Sequence, residues 1–123
     1  MNARILIADD TKGICKLHYD VSRELHGFST WIHGGILSAI LDDCSSVACA
    51  LKVGIRNFGV TSNLTVNFVR QVNSEQIEAQ AAVVTRSLKM FVVQAQILSS
   101  NGDIAVHSTA TFHVRRNEIT SLT

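Results

Sequence analysis

The stretch His33-Gly34-Gly35-Ile36-Leu37-Ser38-Ala39-Ile40-Leu41-Asp42-Asp43-Cys44 decides how this chain of 123 residues is read. It is a glycine-rich entry into one long, mostly apolar helix that carries a carboxylate two turns in. Consecutive glycines weaken a helix start, and are expected there only where the backbone must come close to another group. At helical spacing Leu37, Ile40, Leu41, Cys44, Val47, Ala48 and Leu51 form a core-facing stripe. Gly35, Ser38, Asp42, Ser45, Ser46 and Cys49 share the opposite face, and all but Asp42 are small. Asp42 is therefore expected to project where another backbone or a ligand can approach.

Gly35 and Asp42 point the same way but are separated by roughly 10 Å along the axis, at about 1.5 Å per residue. One small reacting carbonyl cannot touch both within a single chain. If both act on it, they come from two antiparallel copies of the helix, which predicts a two-fold dimer with the site at its interface.

Working outward, the helix is expected over residues 36–53, stopping at Gly54 with Lys52 complementing its dipole. Upstream, residues 14–22 alternate apolar and polar as a first strand, preceded by the turn Asp9-Asp10-Thr11-Lys12-Gly13. The loop from 23 to 32 holds Phe28 and Trp31, placed to cap a cavity or to pack beneath the loop. Downstream, period-two patterns occupy residues 60–69, 77–85, 90–98 and 104–114. Their short connections predict an antiparallel meander. One strand, one helix and four strands make an α+β domain spanning residues 1–123, with a curved sheet wrapped around the helix, which is the hotdog topology. The polar tail from residue 116 is expected to fray.

An apolar fraction of 46% against 17% charged is that of a core-forming globular protein. A mean hydropathy of +0.21 suggests that some apolar surface enters an oligomer interface. The formal charge of +1 gives no electrostatic basis for binding nucleic acid. The apolar run at residues 4–8 is too short for a signal peptide, and Asp42-Asp43 with three serines argues against a membrane helix. A cytoplasmic protein is expected. Cys15, Cys44 and Cys49 are odd in number, which favours free thiols in a reducing compartment. His18, His26, His107 and His113 show no close ligand spacing, so no metal is expected.

His33-Gly34-Gly35, then six residues, then Asp42 within Leu41-Asp42-Asp43-Cys44, resembles the acyl-CoA thioesterases of the hotdog fold. More narrowly it is similar to the phenylacetyl-CoA and 4-hydroxybenzoyl-CoA thioesterase type. The resemblance runs over residues 14–116 and takes in the strand from Gly59 to Arg70 and the closing strand around Thr111-Phe112-His113-Val114. Two departures stand out. Arg70-Gln71-Val72 replaces the common Arg-Pro-Val, and the segment before His33 lacks the usual side-chain amide, for which His26 or Ser29 would have to substitute.

The resemblance implies hydrolysis of an aromatic or medium-chain acyl-CoA to free acid and CoA, without a cofactor. Asp42 would act as nucleophile, forming a mixed anhydride, or as general base for water. The residues themselves leave a second reading open, an acid that is solvated or bound to serine hydroxyls; Asp43, about 100° further round, is expected to be a structural acid. The Gly34 and Gly35 N–H groups at the helix start would hold the thioester oxygen as an oxyanion. His33 is expected to orient that turn rather than transfer a proton, since a helix N-terminus disfavours added positive charge. Thr61 matches a position that places the reactive water. Arg70, Arg86 and Lys89, at strand ends and hairpins, are candidates for the CoA phosphates. The expected assembly is a homodimer paired again into a tetramer. Two alternatives keep the fold: an acyl-CoA-binding or sensing protein without turnover, and a hotdog dehydratase, whose usual catalytic histidine motif is absent.

Overall fold

A computed structural model of the chain describes residues 2–22, 24, 31–54 and 57–116. The expectations placed on His26, Phe28, Ser29 and the tail beyond residue 116 lie outside the described residues. Strand β1 spans Asn2–Asp9 and β2 Ile14–Asp20; helix α1 spans Gly34–Val53. Then come β3 at Asn57–Phe68, β4 at Gln76–Arg86, β5 at Met90–Leu98 and β6 at Ile104–Arg116. All pairings are antiparallel in a six-stranded sheet ordered β1-β2-β4-β5-β6-β3. The sheet wraps around α1 in the expected hotdog arrangement.

Two features differ from the sequence reading. The first strand, β1, is additional. Its Ile5-Leu6-Ile7 run does not alternate because a bulge between Ile5 and Ile7 inserts an extra residue. The strand also buries little: these residues stay 59%, 43% and 55% exposed, so neither period nor burial marks it. The second difference is topological. Only β4, β5 and β6 form a meander, whereas β3 lies at the far edge against β6. Segment 69–75 is a crossing, not a hairpin turn: Val69 and Arg70 N–H donate to the Ala105 carbonyl, while the Glu75 carbonyl accepts from Val21 N–H. Midway, the Val72 carbonyl accepts from Ile32 N–H just before the helix.

The apolar stripe of α1 packs as its spacing requires. Leu37, Ile40, Leu41, Cys44 and Ala48 are buried against the inward residues of the sheet, among them Leu17, Ile77, Phe91, Val93, Ile97 and Phe112. Ala79, Ala81, Ala95 and Ala110 on the same sheet face leave room for the helix. The small face is not wholly open, however. Ser45 and Cys49 are also buried, because the curved sheet reaches further round the helix than a flat one would. The close backbone approach is made there by Gly59 of β3, where a Cβ would lie 3.0 Å from Cys49 Sγ.

Cys15 Sγ lies 3.8 Å from Cys44 Sγ, and all three cysteines are free and buried. Tyr19 donates to the carboxylate of Asp43 at 2.7 Å. Burial, then that hydrogen bond, pushes the phenol well above its ordinary range. The hydrogen bond with Cys15, then burial, pushes the Cys44 thiol up as well. Among the described residues no helix is long and apolar enough to cross a membrane.

Burial pushes the Cys49 thiol up to about 11 from an ordinary 9.0. The unfolded chain thus loses this proton first, so the stability it contributes is complete below pH 9 and is lost as pH rises toward 11. The loss should reach about 3 kcal/mol for the two-unit rise. Urea midpoints measured from pH 7 to 11 should fall, and Cys49→Ala should flatten the fall. Gly59→Ala should destabilise by about 1–3 kcal/mol through overpacking, and Cys49→Ala in the same chain should recover part of it in urea unfolding.

Candidate active site

The first turn of α1 begins with His33 in extended backbone, φ −60° and ψ 138°. Its imidazole performs the capping that serine or aspartate usually provides: Nδ1 accepts from Gly35 N–H at 2.9 Å. Accepting there requires a lone pair on Nδ1, which puts the ring hydrogen on Nε2. The His33 carbonyl accepts from Ile36 and Leu37 N–H. Gly34 N–H meets no acceptor among the described residues.

Two rings explain the paired glycines within this chain. A Cβ on Gly35 would lie 3.1 Å from His33 Nδ1, and one on Gly34 would lie 3.2 Å from the tip of the Phe68 ring. The group that must approach this backbone therefore includes the protein's own side chains. The Gly35 donor assigned to an oxyanion is already engaged by His33, while the neighbouring Gly34 donor has no partner among the described residues. The His33 ring holds the first turn through its bond with Gly35 N–H. Phe68 was missed; its place on the inward face at the end of β3 was the available signal.

Two turns along, Asp42 is half-buried, and its Oδ1 accepts from Thr61 Oγ1 at 2.8 Å. Thr61 faces inward on β3, immediately before a bulge that shifts the register between Thr61 and Asn63. Asp42 Oδ2 has no partner among the described residues. The hydroxyl thus fixes one carboxylate oxygen and leaves the other directed by it, a pairing suited to a nucleophile or a base. Asp43 is held by Tyr19, in keeping with a structural acid.

The cations divide between the two ends of the domain. Arg70 lines a cavity of about 200 Å³ beside Gly34, and its Nη2 lies 4.0 Å from Asp103 Oδ2. Arg86 and Lys89 belong to the β4–β5 hairpin at the other end. There the Lys89 carbonyl accepts from Val114, which pairs with Gly59 beside the late-helix Cys49. One protomer thus brings Asp42 to Thr61, and Arg70 to the helix start, but does not bring Arg86 or Lys89 to either. Among the described residues no three His, Cys, Asp or Glu side chains converge as a metal site would require.

Several solved structures share this fold. A thioesterase from Haemophilus influenzae is 19% identical with a TM-score of 0.84, covering 94% of this chain and 79% of its own. A thioesterase family protein from Silicibacter pomeroyi is 24% identical with a TM-score of 0.84, covering 93% of this chain and 85% of its own. The PaaI protein of the E. coli phenylacetic acid degradation operon is 20% identical with a TM-score of 0.80, covering 90% of this chain and 78% of its own. No curated protein matches the chain. The model of the thioesterase superfamily matches residues 31–106, a span that takes in both the capped turn and the Asp42–Thr61 pair, and the chain belongs to that superfamily.

Proposed function

We propose that the protein is an acyl-CoA thioesterase that works as a homodimer, hydrolysing an acyl thioester to free acid and CoA. The observation that carries the reading is the hydrogen bond from Thr61 to Asp42 Oδ1 on a half-buried helix position. Burying a carboxylate is unfavourable unless it is hydrogen-bonded or used, and here one oxygen is tied while the second is left without a partner among the described residues.

In this mechanism Oδ2 of Asp42 attacks the thioester carbon, expelling CoA thiolate and leaving a mixed anhydride that water opens. The alternative course has Oδ2 remove a proton from the attacking water. In both, the carbonyl oxygen gains negative charge and is met by the helix start of the other subunit. Gly34 N–H is available to it, and Gly35 N–H is shared between the oxyanion and His33 Nδ1. The edge position of β3 supports the dimer. Among the described residues this 12-residue strand pairs on one side only, so a second copy can add to it and bring the two helices alongside each other. The dimer would pair again into a tetramer, and Arg86 and Lys89 would serve CoA phosphates from the hairpin end.

The cap on Gly35 favours one other reading, an acyl-CoA-binding protein without turnover. The two are separated by Asp42→Asn, which should lower kcat in a free-thiol release assay by about 10²–10⁴-fold. Equal, slow release by both proteins would identify the binder. Thr61→Val should lower kcat by about ten- to a hundredfold, the worth of a hydrogen bond to a charged group.

The shared site has its own test. Gly35→Pro removes the N–H and, because the proline ring takes the place of the hydrogen bond to His33 Nδ1, also displaces the cap. Co-expressed with Asp42→Asn, it should restore about a quarter of wild-type activity, because half of the randomly formed dimers hold one intact site. Activity no greater than that of either variant alone would rule out a site built from two subunits.

A further inference from the structure

The cavity beside the helix start is apolar on almost every side. Ile32, Leu37 and Val72 are buried and form its floor, while Trp31, Phe68 and Val69 are exposed and form its rim. Gly34 also lines it, and its N–H meets no acceptor among the described residues. Arg70 lines the cavity as well. Building on the thioesterase reading, we propose that this cavity receives the acyl group, and that Phe68 sets the size of acyl group the enzyme accepts.

Size is the first argument. The cavity holds about 200 Å³. An apolar cavity of about 150 Å³ is enough to take up benzene, whereas sites for drug-sized ligands begin at about 300 Å³. The space therefore suits one ring or a chain of similar bulk, and the remainder of a long fatty acyl chain would run out past the exposed rim.

Position is the second. An acyl group seated on Ile32, Leu37 and Val72 extends from a carbonyl placed at the first turn, where the donors lie. The polar carbonyl meets N–H groups, and the apolar remainder leaves water. Phe68 occupies the boundary between the two. Its ring tip presses on the Gly34 backbone while the residue remains 55% exposed, so it is a wall held on one side only. Truncating it opens the cavity toward solvent along β3 without removing a core residue.

The chain's single tryptophan, Trp31, lies on the rim and reports occupancy independently of turnover. In Asp42→Asn protein, phenylacetyl-CoA should change Trp31 emission and CoA alone should not. With wild-type protein, kcat/KM is measured for phenylacetyl-, hexanoyl-, decanoyl- and palmitoyl-CoA. The two compact esters should exceed the two long ones by about tenfold or more, as pocket discrimination allows. Phe68→Ala should shift the decanoyl to phenylacetyl ratio toward decanoyl by about tenfold or more.

Three results would overturn the assignment: a wild-type preference for palmitoyl-CoA, a Phe68→Ala variant that scales all esters alike, or a Trp31 response reproduced by CoA alone. A Trp31 response specific to phenylacetyl-CoA in a protein that hydrolyses none of the esters would support the cavity assignment while removing the hydrolase reading. The emission experiment uses Phe68-intact protein, so it stands even if Phe68→Ala does not fold.

Discussion

A helix enclosed by a curved sheet over more than its apolar stripe can keep a carboxylate only where the enclosure stops. Everything else about this molecule follows from that constraint. Ser45 and Cys49 are buried, Cys49 against Gly59 of the edge strand β3, whereas Asp42 on the same small-residue side remains half-buried beside Thr61 of that strand. An ionised group further inside would face a desolvation penalty with no compensating partner. At the edge it finds Thr61, whose hydroxyl is fixed by a strand rather than a loop. The acid is therefore placed by the same curvature that buries the core.

The helix start is governed by a second balance. Backbone N–H groups there are without intrahelical partners and carry the positive end of the helix dipole, so they favour negative charge. His33 takes one of them. This lowers the energy of the turn and narrows the advantage that a developing oxyanion gains from it. The neighbouring Gly34 N–H meets no acceptor among the described residues, and the Phe68 ring beside it keeps that backbone from acquiring a side chain.

Much of this was legible in the order of residues. The spacing of Leu37, Ile40, Leu41, Cys44 and Ala48 specified the buried stripe, because helical period and burial are local consequences of one another. Asp42 and Thr61 were each singled out through resemblance, Thr61 only as a position for water, and their hydrogen bond to one another was not expected, as no spacing rule connects positions 19 apart across a helix and a strand. What escaped was non-local. The bulge at Leu6 erased the alternation that marks a strand, and the exchange of β3 to the far edge depends on where segment 69–75 finds its hydrogen bonds. The burial of Ser45 reflects how far the sheet curls, a property of six strands together that the helix sequence does not encode.

Segment 69–75 also divides labour within the chain. Val69, Arg70, Gln71 and Val72 all line the cavity beside the helix, yet they are anchored through main-chain groups, to Ala105 at one end and Ile32 at the other. None of these anchors depends on the identity of a side chain. A lineage carrying this scaffold is free to exchange those four residues and remould what it recognises, while the sheet that holds the acid stays as it is. Divergence in ligand preference among such proteins then needs no innovation in architecture.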